Sequence, residues 1–134
     1  MKKRNNDEHS KHNGAVYALQ DIFQRAGRVV WVNPGSEKNK EWSGRYIDVI
    51  VQHQAQSAWV IEIETKESIT EDEAKQQWVD YASVYQNWYL AVPINSKSKA
   101  ELLLNEFGID NCSVLAWRLD QDDSYTFWGL PGIN

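Results

Sequence analysis

Apolar and polar residues alternate along the chain with two different periods, which predict where helices and strands lie. From Asn13 to Ala26 apolar residues recur at helical spacing, and Gly27 follows as a stop, so this segment predicts a first amphipathic helix. Val29 to Val32 is a β-branched and aromatic run typical of a strand. Residues 33–44 are rich in Gly, Pro, Ser and Lys and predict a long loop.

The two strongest strand candidates come next in the chain. They extend from Arg45 to His53 and from Ala58 to Glu67, and both are rich in Ile and Val. Because only the polar stretch 54–57 separates them, we expect an antiparallel hairpin.

The rest of the chain predicts further helices and strands. A capping box, in which Thr70 accepts from the backbone N–H three residues on and Glu73 reaches back, marks a helix start. The remaining elements are a buried strand at 88–92, a helix from about Lys97, and closing strands at 113–119 and 125–128. The element order α-β-β-β-α-β-α-β-β predicts an α/β fold with a mixed central sheet flanked by helices.

Composition is ordinary for a globular chain and bounds the domain organisation. The 134 residues are 42% hydrophobic and 25% charged. We expect a flexible polar tail at 1–12 and a single domain at 13–134. Cys112 is the sole cysteine, which excludes an intrachain disulfide and favours a reducing cytoplasm. The sequence contains neither a signal-peptide pattern nor a stretch long enough to span a bilayer, so we expect no membrane association.

Charge is distributed unevenly along the chain. The net charge is −5, yet residues 1–45 hold nine Lys and Arg against five Asp and Glu, whereas 46–134 hold five against fourteen. This asymmetry allows a local basic surface for nucleic acid or simply a solvated N-terminal region. Candidate phosphate and base contacts lie in the loop before the hairpin, which holds Lys38, Lys40, Trp42 and Arg45. A solvated loop with its tryptophan packed underneath fits the same residues.

The hairpin carries charged residues in strands that are otherwise apolar. Strand alternation places Asp48 on one face with Tyr46 and Ile50, and it places Glu62, Glu64 and Lys66 together on one face of the next strand. Carboxylates on neighbouring strands can converge on a hard divalent cation, while a lysine orients water and neutralises an oxyanion. The alternative is the solvent face of a half-exposed strand.

These residues resemble the motif of the PD-(D/E)XK, or restriction-endonuclease-like, nuclease superfamily. The resemblance is carried by the segments 43–51, which contains Asp48, and 59–66, which ends in Glu64-Thr65-Lys66. It implies a Mg²⁺- or Mn²⁺-dependent DNA endonuclease in which Asp48 and Glu64 hold the metal and Lys66 activates or orients water. Gln77 and Tyr81 match the Q-x-x-x-Y pattern of the RecB-like branch, and residues four apart share a helix face.

The same resemblance suggests a substrate and an oligomeric state. Compact members include Holliday-junction resolvases and other structure-specific endonucleases, so we expect a homodimer acting on DNA. The alternatives are a catalytically inactive module that binds nucleic acid or a protein partner, and a toxin or defence nuclease acting on RNA or DNA. A protein partner in a larger DNA-processing or defence assembly fits either alternative.

Two assignments stay open at this stage. Glu62-Ile63-Glu64 also fits the E-x-E variant of the motif, in which Glu62 is the ligand and a glutamate replaces the lysine. The acidic residue that many relatives carry in the first helix is not evident, and the candidates to replace it are Glu8 and Asp21. His9 and His12 could bind metal, although an unstructured pair in a mobile tail is the simpler interpretation.

Overall fold

The computed structural model describes residues 6–133, in which four helices, six strands and three short 3₁₀ or π-helical turns alternate. The helices are α1 (Asn6–Arg25), α2 (Glu71–Glu73), α3 (Val79–Val84) and α4 (Lys97–Glu106). The strands are β1 (Val29–Val32), β2 (Val49–Gln54), β3 (Ser57–Ile63), β4 (Trp88–Pro93), β5 (Cys112–Leu119) and β6 (Tyr125–Trp128). A π-helical turn, Ala74–Trp78, joins α2 to α3, and 3₁₀ turns lie at Lys66–Ser68 and Ile94–Ser96.

The six strands form one mixed sheet in chain order, from β1 at one edge to β6 at the other. The pairs β1–β2, β2–β3 and β5–β6 are antiparallel, whereas β3–β4 and β4–β5 are parallel. Each parallel pair is joined by a helical crossover, as parallel strands require. The structure thus confirms a mixed α/β fold with helices flanking a central sheet.

Apolar side chains cover both faces of the sheet. On one face α1 packs against alternate strand residues in a cluster that includes Leu19, Phe23, Val49 and Ile61. The helical segment 71–84 and α4 cover the other face in a second cluster, whose members include Ile50, Val60, Trp78, Leu90 and Leu104. Because helices lie on both sides, the central strands β3 and β4 have no solvent-facing surface of the kind that an open antiparallel sheet presents.

Most boundaries agree with the sequence prediction within a few residues, and three differences matter. The first helix begins at Asn6 within the described residues, so residues 6–12 belong to α1 and the predicted flexible tail is wrong there; residues 1–5 lie outside the described range. The second strand begins only at Val49, and the third ends at Ile63. Asp48 therefore precedes β2, and Lys66 lies beyond β3.

None of the helices among the described residues is long and apolar enough to cross a membrane.

A buried asparagine organises the loop that leads to Asp48. The Asn33 amide donates to the carbonyls of Lys40 and Ile47 at 2.8 Å each. Its oxygen accepts from the backbone N–H groups of Asn39 at 2.7 Å and Lys40 at 2.9 Å. Four hydrogen bonds to one side chain fix this loop although it has almost no regular structure.

We expect Asn33→Ala to lower the free energy of unfolding by about 2–4 kcal/mol, because it leaves several buried backbone groups without partners. Urea denaturation followed by tryptophan fluorescence measures the change. Asn95→Ala, at an exposed position, is the control and should change stability little. Equal stability of the two variants would contradict a structural role for Asn33.

Candidate active site

Two acids face each other across the first two strands of the central hairpin. Because Val49 pairs with Ile61, Asp48 stands opposite Glu62. Both side chains are buried, and the Asp48 backbone N–H donates to Glu62 Oε1 at 3.4 Å. The sequence prediction that acids from adjacent strands converge holds for this pair.

Glu64, the residue predicted to be the main ligand, lies one step beyond β3 and is 0% exposed. Its Oε1 accepts from the Ser68 hydroxyl at 2.7 Å, and its Oε2 accepts from the Trp78 indole N–H at 2.8 Å. The solvent-face interpretation of Glu62 and Glu64 is therefore wrong, because both carboxyl groups lie beneath the helical segment that crosses the sheet.

That helical segment brings further polar groups to the same place. In the amide orientation that satisfies its neighbours, Gln77 donates to Glu62 Oε2 at 3.1 Å and to Glu73 Oε2 at 2.8 Å. The Tyr81 hydroxyl then donates to the Gln77 oxygen at 3.3 Å. The prediction that Gln77 and Tyr81 point together at the strand ends is thus confirmed. Glu73 was predicted only as a capping residue.

The π-helical turn explains how so many side chains reach one spot. Its wider backbone bond runs from the Val79 N–H to the Ala74 carbonyl. Extra residues per turn let the consecutive residues Gln77 and Trp78 both approach the acids, four and five positions after Glu73. Turns of this kind are found frequently at functional sites.

The structure groups three acids tightly enough for one metal ion. Carboxylate oxygens of Glu62, Glu64 and Glu73 all lie within 4.8 Å of one another, and all three residues are buried. Asp48 lies opposite Glu62 in the strand register, and its backbone N–H donates to Glu62 Oε1. The donors are carboxylate oxygens throughout, which suits hard cations such as Mg²⁺ and Mn²⁺ rather than zinc. We call Asp48, Glu62, Glu64 and Glu73 the acid cluster.

Helix α1 adds two buried polar residues from the opposite face of the sheet. His12 is 1% exposed, and its Nε2 lies 2.9 Å from Asp48 Oδ2, which also accepts from the Ile63 backbone N–H at 2.8 Å. Glu8 is buried and accepts from the Thr65 hydroxyl at 3.4 Å. Asp21 instead pairs with Arg25 on the surface. Of the two acids considered in the first helix, Glu8 is therefore the one that lies beside the end of β3, and His12 lies in α1 rather than in a mobile tail.

The sequence held a signal for these two residues. Glu8 and His12 lie four residues apart and continue the helical spacing of Ala15, Leu19 and Phe23 towards the N-terminus. Their polar identity concealed the pattern, since a search for apolar periodicity counts such residues as surface.

Lys66 is the predicted residue that the structure does not bring to the acid cluster. It lies in the 3₁₀ turn after β3, and its side chain is exposed. Strand geometry places Glu62 opposite Asp48 and Glu64 two residues further on. The geometry therefore favours Glu62 and Glu64, rather than Glu64 and Lys66, as the two charged residues that accompany Asp48.

The predicted nucleic-acid contacts are mostly engaged within the protein. Arg45 forms two hydrogen bonds with the Asp80 carboxylate, at 2.6 and 2.8 Å. Trp42 stacks against Trp31, whose ring also lies 4.8 Å from Lys40 Nζ. Lys38 is exposed, and its Nζ lies 5.6 Å from the centre of the Tyr46 ring. Of the four predicted residues, Lys38 is exposed, whereas the other three are partly buried.

Burial and like charge dominate the electrostatics of the acid cluster. Burial, followed by the nearby carboxylates of Asp48, Glu64 and Glu73, raises the pKa of Glu62 well above its ordinary value. Burial, followed by the nearby carboxylates of Glu62, Asp48 and Glu64, raises the pKa of Tyr81, so its hydroxyl stays protonated and able to donate. Concentrating this much acid in a low-dielectric interior opposes folding unless protons or a cation neutralise it.

No protein-family model, curated protein or solved structure matches the chain in the comparisons. The interpretation of the site therefore depends on its residues and their geometry.

We expect Glu62→Gln to raise the stability of the metal-free protein at pH 7–8 by roughly 1–3 kcal/mol, because it removes a buried charge from like-charged neighbours. A raised folded pKa means that the contribution of Glu62 is full below its unfolded pKa and is lost as pH rises towards the folded value. Stability of the unaltered protein in EDTA should accordingly fall as pH rises above about 4.5. Thermal melts across pH 5–8 should show a flatter profile for Glu62→Gln, and the exposed control Glu101→Gln should follow the unaltered protein.

We expect the opposite sign for His12→Ala, which removes a buried hydrogen bond to a carboxylate. The free energy of unfolding should fall by about 1.5–3 kcal/mol, whereas His9→Ala, on a partly exposed position of the same helix, should have little effect. Urea titrations of the two variants make the comparison. Similar stabilities would argue against a fixed His12–Asp48 contact in solution.

Proposed function

We propose that this protein is a metal-dependent nuclease that hydrolyses phosphodiester bonds, with DNA as the first expected substrate. The observation that carries the proposal is the acid cluster, in which Asp48 and Glu62 pair across adjacent strands beside the buried carboxylates of Glu64 and Glu73. A core that only had to be stable would not retain such a set, because its burial opposes folding.

The residues divide between holding a cation and positioning its ligands. Asp48 and Glu62 are the proposed principal ligands, with Glu73 and Glu64 completing the oxygen donors. A bound Mg²⁺ or Mn²⁺ supplies a Lewis acid that activates water and stabilises the charge that develops on the phosphate. Gln77 orients the Glu62 and Glu73 carboxylates through its amide, and Trp78 and Ser68 do the same for Glu64. His12 and the Ile63 backbone N–H fix the Asp48 carboxylate through its Oδ2.

The arrangement of elements supports a restriction-endonuclease-like fold as the finer assignment. A helix precedes three antiparallel strands, the acids lie at the start of the second strand and the end of the third, and a helical crossover leads to a parallel fourth strand. This is the order that the sequence resemblance implies. The site residues then fit the E-x-E variant, in which Glu62 and Glu64 take the two motif positions.

One observation favours a second candidate, a module of this fold that binds nucleic acid without cutting it. Lys66, the expected water-orienting residue, is exposed and lies outside the acid cluster. If no other group serves that purpose, the protein would bind metal and nucleic acid but would not hydrolyse the backbone.

Cleavage assays on the purified chain test the nuclease proposal. Labelled single-stranded, duplex, flap and four-way-junction DNA, together with RNA, are incubated with Mg²⁺, Mn²⁺ or EDTA. We expect metal-dependent cutting that Asp48→Asn and Glu62→Gln each reduce by roughly 10²–10³-fold, because each removes a charged ligand. Asp21→Asn, which alters an exposed acid paired with Arg25, should retain full activity.

A thermal-shift series on the same proteins separates the two candidates. Mg²⁺ or Mn²⁺ should stabilise the unaltered protein in proportion to ligand occupancy, and Glu62→Gln should lose that response. Metal-dependent stabilisation without cleavage of any substrate would replace the nuclease by the binding module. No cleavage and no metal response would remove both assignments.

A further inference from the structure

A cleft of about 350 Å³ opens beside the acid cluster. Its inner wall is formed by Glu73, Gln77 and Tyr81, so a molecule in the cleft reaches the same groups that hold the cluster together. The Arg45–Asp80 ion pair and the exposed face of Tyr46 form its outer wall. Of the acid cluster, Glu73 lines the cleft, and the Gln77 amide connects that wall to Glu62.

The size of the cleft limits what can enter. Pockets for small molecules measure roughly 300–1,000 Å³, so this one is at the small end and suits a single nucleotide. A base pair with its two backbones is larger than such a space. Glu73 is the member of the acid cluster that lines it, and the buried Glu62 is hydrogen-bonded to Gln77 of the same wall. A strand that enters the cleft must therefore leave its duplex partner before its phosphate can approach Glu73 and Gln77.

The mouth of the cleft has the chemistry that an unpaired nucleotide requires. The Tyr46 side chain is 42% exposed although it adjoins the buried residues Ile47 and Asp48. Aromatic side chains of this kind stack on unpaired bases with little regard to sequence. Lys38 Nζ lies 5.6 Å from the centre of that ring and is placed to meet the phosphate of a base stacked there.

We propose that this cleft binds one unpaired nucleotide next to the phosphate that is cut, with its base on Tyr46 and a neighbouring phosphate near Lys38. The inference rests on the proposed nuclease function and specifies its substrate as single-stranded nucleic acid, including unpaired ends and flaps. Paired duplex is a poor substrate because a nucleotide must first be unstacked and unpaired.

Cleavage and binding of oligonucleotides test the proposal. A labelled single strand should be cut roughly 10- to 100-fold faster than the same sequence held in a hairpin stem, and a DNA and an RNA version identify which sugar is accepted. Tyr46→Ala should raise KM for the single strand roughly tenfold with little change in kcat, while Tyr46→Phe should behave as the unaltered protein. Tyr17→Ala, which alters an exposed tyrosine of α1, is the matched control.

Binding is measured separately by fluorescence anisotropy with Ca²⁺ in place of Mg²⁺, so that affinity does not depend on turnover. Lys38→Ala should weaken binding of every single strand alike and lower the slope of log affinity against log salt by about one unit. Binding that is weaker for the Tyr46→Ala variant supports the cleft assignment even where no cutting occurs, and in that case only the hydrolytic function fails.

Two results would overturn the inference while leaving the nuclease standing. One is cleavage of stem and single strand at equal rates. The other is cleavage of the single strand by Tyr46→Ala with an unchanged KM. Absence of both cleavage and oligonucleotide binding would refute the inference together with the proposed function.

Discussion

Repulsion among buried carboxylates is the constraint on which the rest of this structure depends. Asp48, Glu62, Glu64 and Glu73 occupy one interior region, where the effective dielectric is far lower than in water. Each acid has a neighbour that offsets part of the repulsion: the His12 ring, the Gln77 amide, or the Trp78 and Ser68 donors. Both helical layers contribute these donors, so the sheet and its two coverings act together to hold the cluster.

Because of this constraint, elements that would otherwise serve only packing also carry or position polar groups of the site. The amphipathic face of α1 carries Glu8 and His12 in line with its apolar residues. The crossover helix carries a π turn that directs two consecutive side chains at the acids. Asn33 orders the irregular loop so that Asp48 enters the sheet opposite Glu62. Natural proteins commonly accept a local cost in stability at functional sites, and the buried polar groups here have that distribution.

The sequence predicted the fold better than the site. Alternation and turn residues located every strand and the crossover helices, because these signals depend on local periodicity. Whether Asp48 pairs with Glu62 or with Glu64 depends on the register of β2 against β3. A shift of that register by one or two residues would change the pairing without altering any local sequence pattern. Glu73 could not be assigned because its role comes from tertiary contacts between distant segments. His12 did have a signal in its helical spacing with the apolar face of α1, but its contact with Asp48 depends on tertiary packing.

The parallel pairing of β3 with β4 also bears on the order in which the chain folds. The antiparallel hairpin β2–β3 joins residues close in sequence, so its loop closes rapidly and brings Asp48 beside Glu62 while both still face water. The strand pair β3–β4 forms only after the long crossover at 64–87 has closed. We expect local contacts to bring the charged groups together first, and the crossover to bury them last. The electrostatic cost of burying them then arises late in folding, when most apolar surface is already buried.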